Sequence, residues 1–313
     1  MALACRAPSL HNSQPWRWLM GESGLQLFSD PDRLLPATDA FGRQMVISCG
    51  AALNHLEYAF ESKLWCPVID RLPRSSDREL LATIGFSQAP TRSDFAVRMA
   101  RAIEQRRTER LPLKAPPGWE ETVELLARIA AESAVELEDL GERSGHTLEE
   151  ASRRMTGLRH TDVAYQAELR WWSGQGLFPD GVPEEALPSD REQHSVGVAR
   201  EFPAGNASVP VGGPSEDRSA ILLLSTPADS RLDWLRSGEA LSAVLLACTD
   251  RGLATCPVTH LTERSATRTM LRELSAGECL PQVLIRVGAG TGGPTTPRRP
   301  LSEVLFRERP APG

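Results

Sequence analysis

Two stretches of this chain carry one pattern 188 positions apart. Ser48-Cys-Gly-Ala-Ala-Leu-Asn-His-Leu-Glu-Tyr-Ala59 aligns with Arg236-Ser-Gly-Glu-Ala-Leu-Ser-Ala-Val-Leu-Leu-Ala247, with glycine, Ala-Leu, an aliphatic residue and alanine at the same offsets. Cys66-Pro-Val68 follows the first copy and Cys256-Pro-Val258 the second, 16 and 18 positions after the respective glycines. Leu81–Gly85 answers Leu284–Gly288 in the same order. The alternative is two unrelated amphipathic helices with chance identities, but an ordered series of matches favours duplication. Fused halves would bury one another as the subunits of an obligate dimer do. The 313 residues agree, because at ~150 residues per domain they suggest about two units.

The periodicities predict an α+β chain. Short strands are expected at Trp16–Met20, Leu25–Ser29, Leu64–Leu72, Leu80–Phe86, Ala134–Leu140, Ala220–Thr226 and Pro281–Val287. Helices are expected at Arg43–Glu61, from Asp94 as N-cap to Gln105, and at Trp119–Glu132, Thr147–Trp172, Trp234–Thr249 and Arg264–Leu274. In the first of these, Val46, Cys49, Leu53, Leu56 and Phe60 fall on one stripe. Residues 88–93 read as a linker. Residues 174–219 are rich in proline and glycine and have no period, which in a compact domain marks a lid, a binding loop or disorder. The halves are expected at 1–93 and 94–313, the second carrying the lid-like insertion near 174–219.

Charge and composition narrow the function. Acidic residues number 41 against 35 basic, a net charge of −6, which argues against nucleic-acid binding by bulk charge. Only Lys63 and Lys114 are lysines, so an anion site here must be built from arginine. No apolar run approaches the ~20 residues that span a bilayer, and the first residues lack the pattern of a signal peptide. The six cysteines include no CxxC pair, which fits reduced thiols in a cytoplasmic protein. The histidines form no ligand cluster, so no metal is expected.

Four strings carry candidate chemistry. Gly288-Ala-Gly290-Thr-Gly-Gly293 follows a strand and matches GxGxxG. A dinucleotide fingerprint needs a helix next, whereas Pro294, Pro297 and Pro300 forbid one; the string is a glycine turn. Arg106-Arg-Thr-Glu-Arg110 lies at a helix end. Its guanidinium forks can hold a phosphate, or simply complement the helix dipole. Pro297-Arg298-Arg299-Pro300 is a rigid arginine pair that either closes on the same anion or forms an exposed tail. Ala7-Pro-Ser9-Leu-His11-Asn12-Ser-Gln14-Pro-Trp16 offers donors and acceptors to a planar polar heterocycle, or is a hydrogen-bonded turn.

Taken together, these strings resemble the FMN-dependent nitroreductase superfamily. The first string is similar to its APSxxNxQPW motif and Arg106–Arg110 to its RRSxR motif; Gly238-Glu-Ala-Leu, Gly252-Leu-Ala-Thr-Cys-Pro257 and Pro297–Leu301 also follow its pattern. In ordinary members RRSxR comes first. The reversed order here, with HNSQPWRW, GRQMVISCGAAL and DGVP, resembles the Acg subfamily, whose chains are similar to a nitroreductase dimer fused into one. The family pattern carries a helix before Arg6 that this sequence does not show.

The resemblance implies a nitroreductase-like fold: an internally duplicated pseudo-dimer with a central, mostly antiparallel sheet flanked by helices, monomeric, with one FMN between the halves. It implies that Arg106, Thr108 and Arg110, with Arg298 and Arg299, meet the phosphate and ribityl chain. It places Pro8, Ser9, His11, Asn12 and Gln14 against the flavin, and Thr255, Pro257, Thr259 and His260 near its reactive ring edge. No side chain need be catalytic, because the flavin carries the chemistry. The implied activity is transfer of hydride from NAD(P)H through FMN to a small nitroaromatic or quinone-type acceptor. A protein that sequesters FMN beneath a closed lid without turnover is the competing reading, and a flavinless interaction module a third.

Overall fold

The computed structural model describes residues 1–22, 24–174, 180–209, 213–290 and 292–308. Part of the expected lid segment and one position of the glycine turn therefore lie outside the described residues. The first half runs β1 (Trp16–Gly21), β2 (Gly24–Ser29), α1 (Arg43–Glu61), β3 (Trp65–Arg71) and β4 (Leu80–Gln88). Next come α2 (Asp94–Gln105), α3 (Trp119–Ala131), β5 (Glu136–Asp139), α4 (Gly141–His160), α5 (Val163–Trp171) and α6 (Asp190–His194). The chain continues through β6 (Ala220–Thr226), α7 (Arg231–Asp250), β7 (Ala254–Val258), α8 (Ser265–Leu274) and β8 (Leu280–Gly288), and ends on α9 (Leu301–Val304) and β9 (Leu305–Arg307).

The antiparallel sheet expected from the sequence is divided in two. One sheet has the order β3-β4-β2-β1-β9 and the other β5-β6-β8-β7. Every pairing is antiparallel except that of β9 with β1. The succession β1, β2, α1, β3, β4 is thus repeated in order and direction by β5, β6, α7, β7, β8, consistent with duplication. Even the irregularities recur: the ladders β2–β4 and β6–β8 each shift register once, at Leu27/Phe28 and at Leu224/Ser225. Pro67 and Pro257 both lie on edge strands, where a missing N–H costs no ladder bond. The Gly85–Gly288 match does not follow the ladders, however. Gly85 faces Val68, two positions after Cys66, whereas Gly288 faces Ala254, two before Cys256.

Helices α1 and α7 pack against each other between the sheets. One face of the first sheet buries Trp16, Trp18 and Leu27 against Leu53 and Leu56 of α1. The second sheet is covered on both faces, Leu222, Leu224 and Ile285 meeting α2, α3 and α7, and Leu223 and Leu284 meeting α4 and α8. That two-sided burial explains the uninterrupted apolar runs of β6 and β8.

Three expected elements differ. The single helix over 147–172 is two, because the Asp162 carboxylate accepts from Tyr165 N and caps a new helix, α5. Ser93, not Asp94, caps α2 through Ala96 N. Strand β7 has no sequence expectation, its five residues being short and interrupted by Pro257. Strands β5 and β6 are neighbours although α4, α5 and α6 lie between them in the sequence, whereas β1 and β2 are joined between Gly21 and Gly24. No described helix is long and apolar enough to cross a membrane. Among the described residues no group of His, Cys, Asp or Glu is placed to hold a metal.

Candidate functional site

A cavity of about 480 Å³ opens where the halves meet. Its floor comes from α1 (Gln44, Ile47, Ser48) and Leu241 of α7; its sides come from Pro8–His11, Thr108, Arg110 and Cys256–Thr259. Volume and mixed polarity suit a small cofactor or ligand. The cover is α4, through Glu149, Ser152, Arg153 and Thr156, together with parts of residues 188–202.

The loop 8–14 is held in an unusual shape. His11, Asn12 and Gln14 have φ of 49°, 58° and 50°, a left-handed conformation that non-glycine residues adopt at a cost and that clusters at ligand sites. Ser9 Oγ accepts from Gln14 N at 2.9 Å, and Ser48 Oγ accepts from Leu10 N at 3.2 Å. Asn12 Nδ2 donates to Gly181 O (2.8 Å) and Pro297 O (3.0 Å). Gln14 Oε1 accepts from Arg299 N at 2.9 Å. The loop therefore ties the cover and the C-terminal segment to the first half. Buried beneath the cover, His11 is held well below its usual pKa by desolvation, then by Arg200 and Arg110.

The RRTER segment is fixed at both ends. Arg106 caps α2, its N–H bonding Ala102 O. Thr108 bridges Thr255 of β7, and Glu109 N donates to Thr255 O at 2.9 Å. The glycines of 288–293 let the chain lie flat on this segment. A Cβ at Gly293 would overlap Thr108 O, and one at Gly288 would overlap Lys114 O.

Arginines converge behind the cavity wall. Arg106 is buried, with Nε and Nη1 finding no acceptor among the described residues. Its pKa is pushed down to about 9, first by burial and then by Arg298, Arg107, Arg6 and Arg110. Arg298, 192 positions away in the sequence, is lowered to about 10 by burial, Arg6 and Arg107. Buried cations that repel one another are costly unless an anion joins them. Arg298 is already engaged: it donates to Asn12 Oδ1 (3.1 Å), Pro297 O (2.9 Å) and Arg6 O (2.9 Å), while its Nε is unpartnered.

The sequence-predicted residues fall into two shells. Pro8, Ser9, His11, Thr108, Arg110, Pro257 and Thr259 line the cavity. Asn12, Gln14, Arg106, Thr255, His260 and Arg298 lie behind them. Arg299 turns away, 3.6 Å from the Asp30 carboxylate. Sequence reasoning missed Arg286, wholly buried in the cavity wall and paired with Asp217 at 2.7 Å. It also missed Arg200 and Phe202 of the cover. Phe202 meets the His11 ring edge-on at 5.6 Å and lies 5.5 Å from the Arg110 guanidinium. Nothing in an aperiodic stretch marks such residues; Gln44 and Ser48, by contrast, lie within the quoted GRQMVISCGAAL string.

No family profile matches the chain. A Mycobacterium tuberculosis protein (strain H37Rv) bearing the name "Putative NAD(P)H nitroreductase acg" is 41% identical over 309 residues, covering 97% of this chain and 93% of that one. An uncharacterized protein of the same strain is 43% identical over 323 residues, covering 99% and 93%. Among solved structures, the FMN-dependent nitroreductase NfnB of Mycobacterium smegmatis, in complex with NADPH, overlays 69% of this chain and all of its own at 19% identity and a TM-score of 0.40. The assignment rests on the sequence relatives, whose similarity covers nearly the whole chain: the chain belongs to the Acg-like branch of the nitroreductase family.

Proposed function

We propose that the cavity binds one FMN and that the chain uses it to pass hydride equivalents from NAD(P)H to a nitroaromatic or quinone-type acceptor. The observation that carries this reading is Arg106: a buried guanidinium with two unpartnered N–H positions, repelled by Arg298 and set behind a cavity lined by the rest of the motif. A phosphate would satisfy those donors and relieve the repulsion. FMN, when bound, supplies the redox chemistry that side chains lack.

In this reading Arg106 and Arg110 hold the phosphate and Thr108 offers a hydroxyl beside them. Arg298 adds charge and, through Asn12, orders the loop; Gln14 and Arg299 fasten the same corner. Pro8, Ser9 and His11 lie along the flavin ring, Pro257 and Thr259 form the opposite wall, and Thr255 and His260 stand behind that wall. The halves 1–93 and 94–313 stand for two subunits, so the chain acts as a monomer. Six free thiols support a cytoplasmic setting.

A second reading, FMN held without turnover, is favoured by the cover itself, since Phe202 and α4 close the face a nicotinamide would approach. Titration with FMN, followed by anaerobic addition of NADPH, separates the readings. One tight equivalent that NADPH bleaches supports the reductase. One equivalent that stays yellow supports sequestration, and a protein that takes up no FMN overturns both.

A further inference from the structure

We propose that Ser152 delivers the proton to an acceptor reduced in the large cavity, with His260 as the positioning residue that holds its hydroxyl in place. The inference rests on the function proposed above. Ser152, on α4, lines the large cavity. His260 borders a second cavity of about 270 Å³, on the far side of Arg200 and Phe202, which face both. The hydrogen bond between Ser152 Oγ and His260 Nε2, 2.9 Å long, crosses the partition.

The hydrogen-bond count sets the direction. A serine hydroxyl has one proton, and Oγ donates it to Ala199 O at 3.1 Å. Both contacts are satisfied only if His260 Nε2 carries a hydrogen and donates to Oγ. Nδ1 then holds the lone pair, and it has no partner among the described residues. Burial, then the charge of Arg200, brings the His260 pKa down to about 3, so the imidazole is neutral near pH 7 and carries a single ring hydrogen, on Nε2.

Reduction of a quinone to its hydroquinone takes one hydride and one proton. The hydride originates on the dihydronicotinamide, which leaves oxidised. The proton leaves Ser152 Oγ as an O–H bond forms on the acceptor oxygen. His260 Nε2–H steadies the Oγ left behind, and water in the large cavity returns a proton to Oγ. Atoms and charge balance with NAD(P)H, quinone and one proton consumed.

The test uses FMN-loaded protein and 1,4-benzoquinone as acceptor, with Ser152→Ala, Ser152→Thr and His260→Gln. In S152A and S152T, FMN affinity and the rate of bleaching by NADPH should stay within about twofold of the parent. Reoxidation should slow by about tenfold or more in S152A and H260Q, within the range of general acid catalysis, and recover in S152T. Independently of FMN, ring ¹⁵N NMR of the FMN-free protein should show His260 with hydrogen on Nε2, a preference that S152A weakens. An Nδ1–H ring in the parent, or reoxidation of S152A at the parental rate with FMN bound, overturns the proposal. A parent that takes up no FMN instead overturns the proposed function, and the role of Ser152 with it.

Discussion

Gly50 of α1 and Gly238 of α7 stand against each other where the two helices cross. A Cβ on Gly50 would overlap Leu235 O and lie 3.0 Å from Gly238 Cα; one on Gly238 would overlap Ile47 O and lie 2.8 Å from Gly50 Cα. Ile47 and Leu235 each precede their own glycine by three positions. Each helix thus meets its counterpart with the same residues, the relation expected across a two-fold axis, here within one chain.

Replacing either glycine by alanine should therefore drive the helices apart. The obstacle is backbone, which cannot swing aside, so the cost should sit at or above the upper end of the ~1–3 kcal/mol typical of overpacking. Urea unfolding of Gly50→Ala and Gly238→Ala measures it. Parental stability in both variants would show that the crossing is not tight.

Arg106→Ala should have opposite effects on binding and on stability. FMN should bind about ten- to hundredfold more weakly, a loss of roughly 1.5–3 kcal/mol from one charge-assisted contact, while riboflavin, which has no phosphate, should be little affected. The ligand-free protein should melt higher, because an unpartnered buried cation has gone. Arg298→Ala should weaken both ligands, since Arg298 also bonds Asn12 and Arg6. Equal losses of FMN and riboflavin in Arg106→Ala would remove the phosphate role.

Glu57 gives a pH signature. Burial first, then Glu239 and Glu61, raises its pKa to about 7 from 4.5. The folded state therefore holds this proton more tightly than the unfolded state. Its contribution to stability is full below about pH 4.5 and is lost as pH rises towards 7. Glu57→Gln should remove that slope and stabilise the protein by about 1–2 kcal/mol at pH 8, the shift discounted for partial exposure. Melting curves from pH 4.5 to 8 that keep the parental slope in the variant would assign the effect elsewhere.

Phe202→Ala should loosen the cover over His11 and Arg110 without touching α1 or α7. Anaerobic bleaching of bound FMN by NADPH should then be faster than in the parent, as when lid opening limits access. An unchanged rate with FMN retained would mean that Phe202 does not gate the cavity.

Most secondary structure was legible because it is local. The i, i+3, i+4 stripe of α1, the apolar runs of β6 and β8 and the prolines that forbid a helix after Gly293 are all settled by near neighbours. So are the two glycine-centred repeats and the motif strings. The break at Asp162 shows the limit, since a stretch with helical periodicity throughout is divided by one capping carboxylate. Strand β7 shows another. Ala254–Val258 is extended because β8 and Thr108 pair with it, not from any propensity of its own. The sequence by itself determined the motif strings, the family they belong to and most of the helices and strands. Only the tertiary structure decided that Arg106 and Arg298 meet, that Arg200 and Phe202 cover the cavity, and that Ser152 reaches His260. Those contacts join residues that share no period and no local signal.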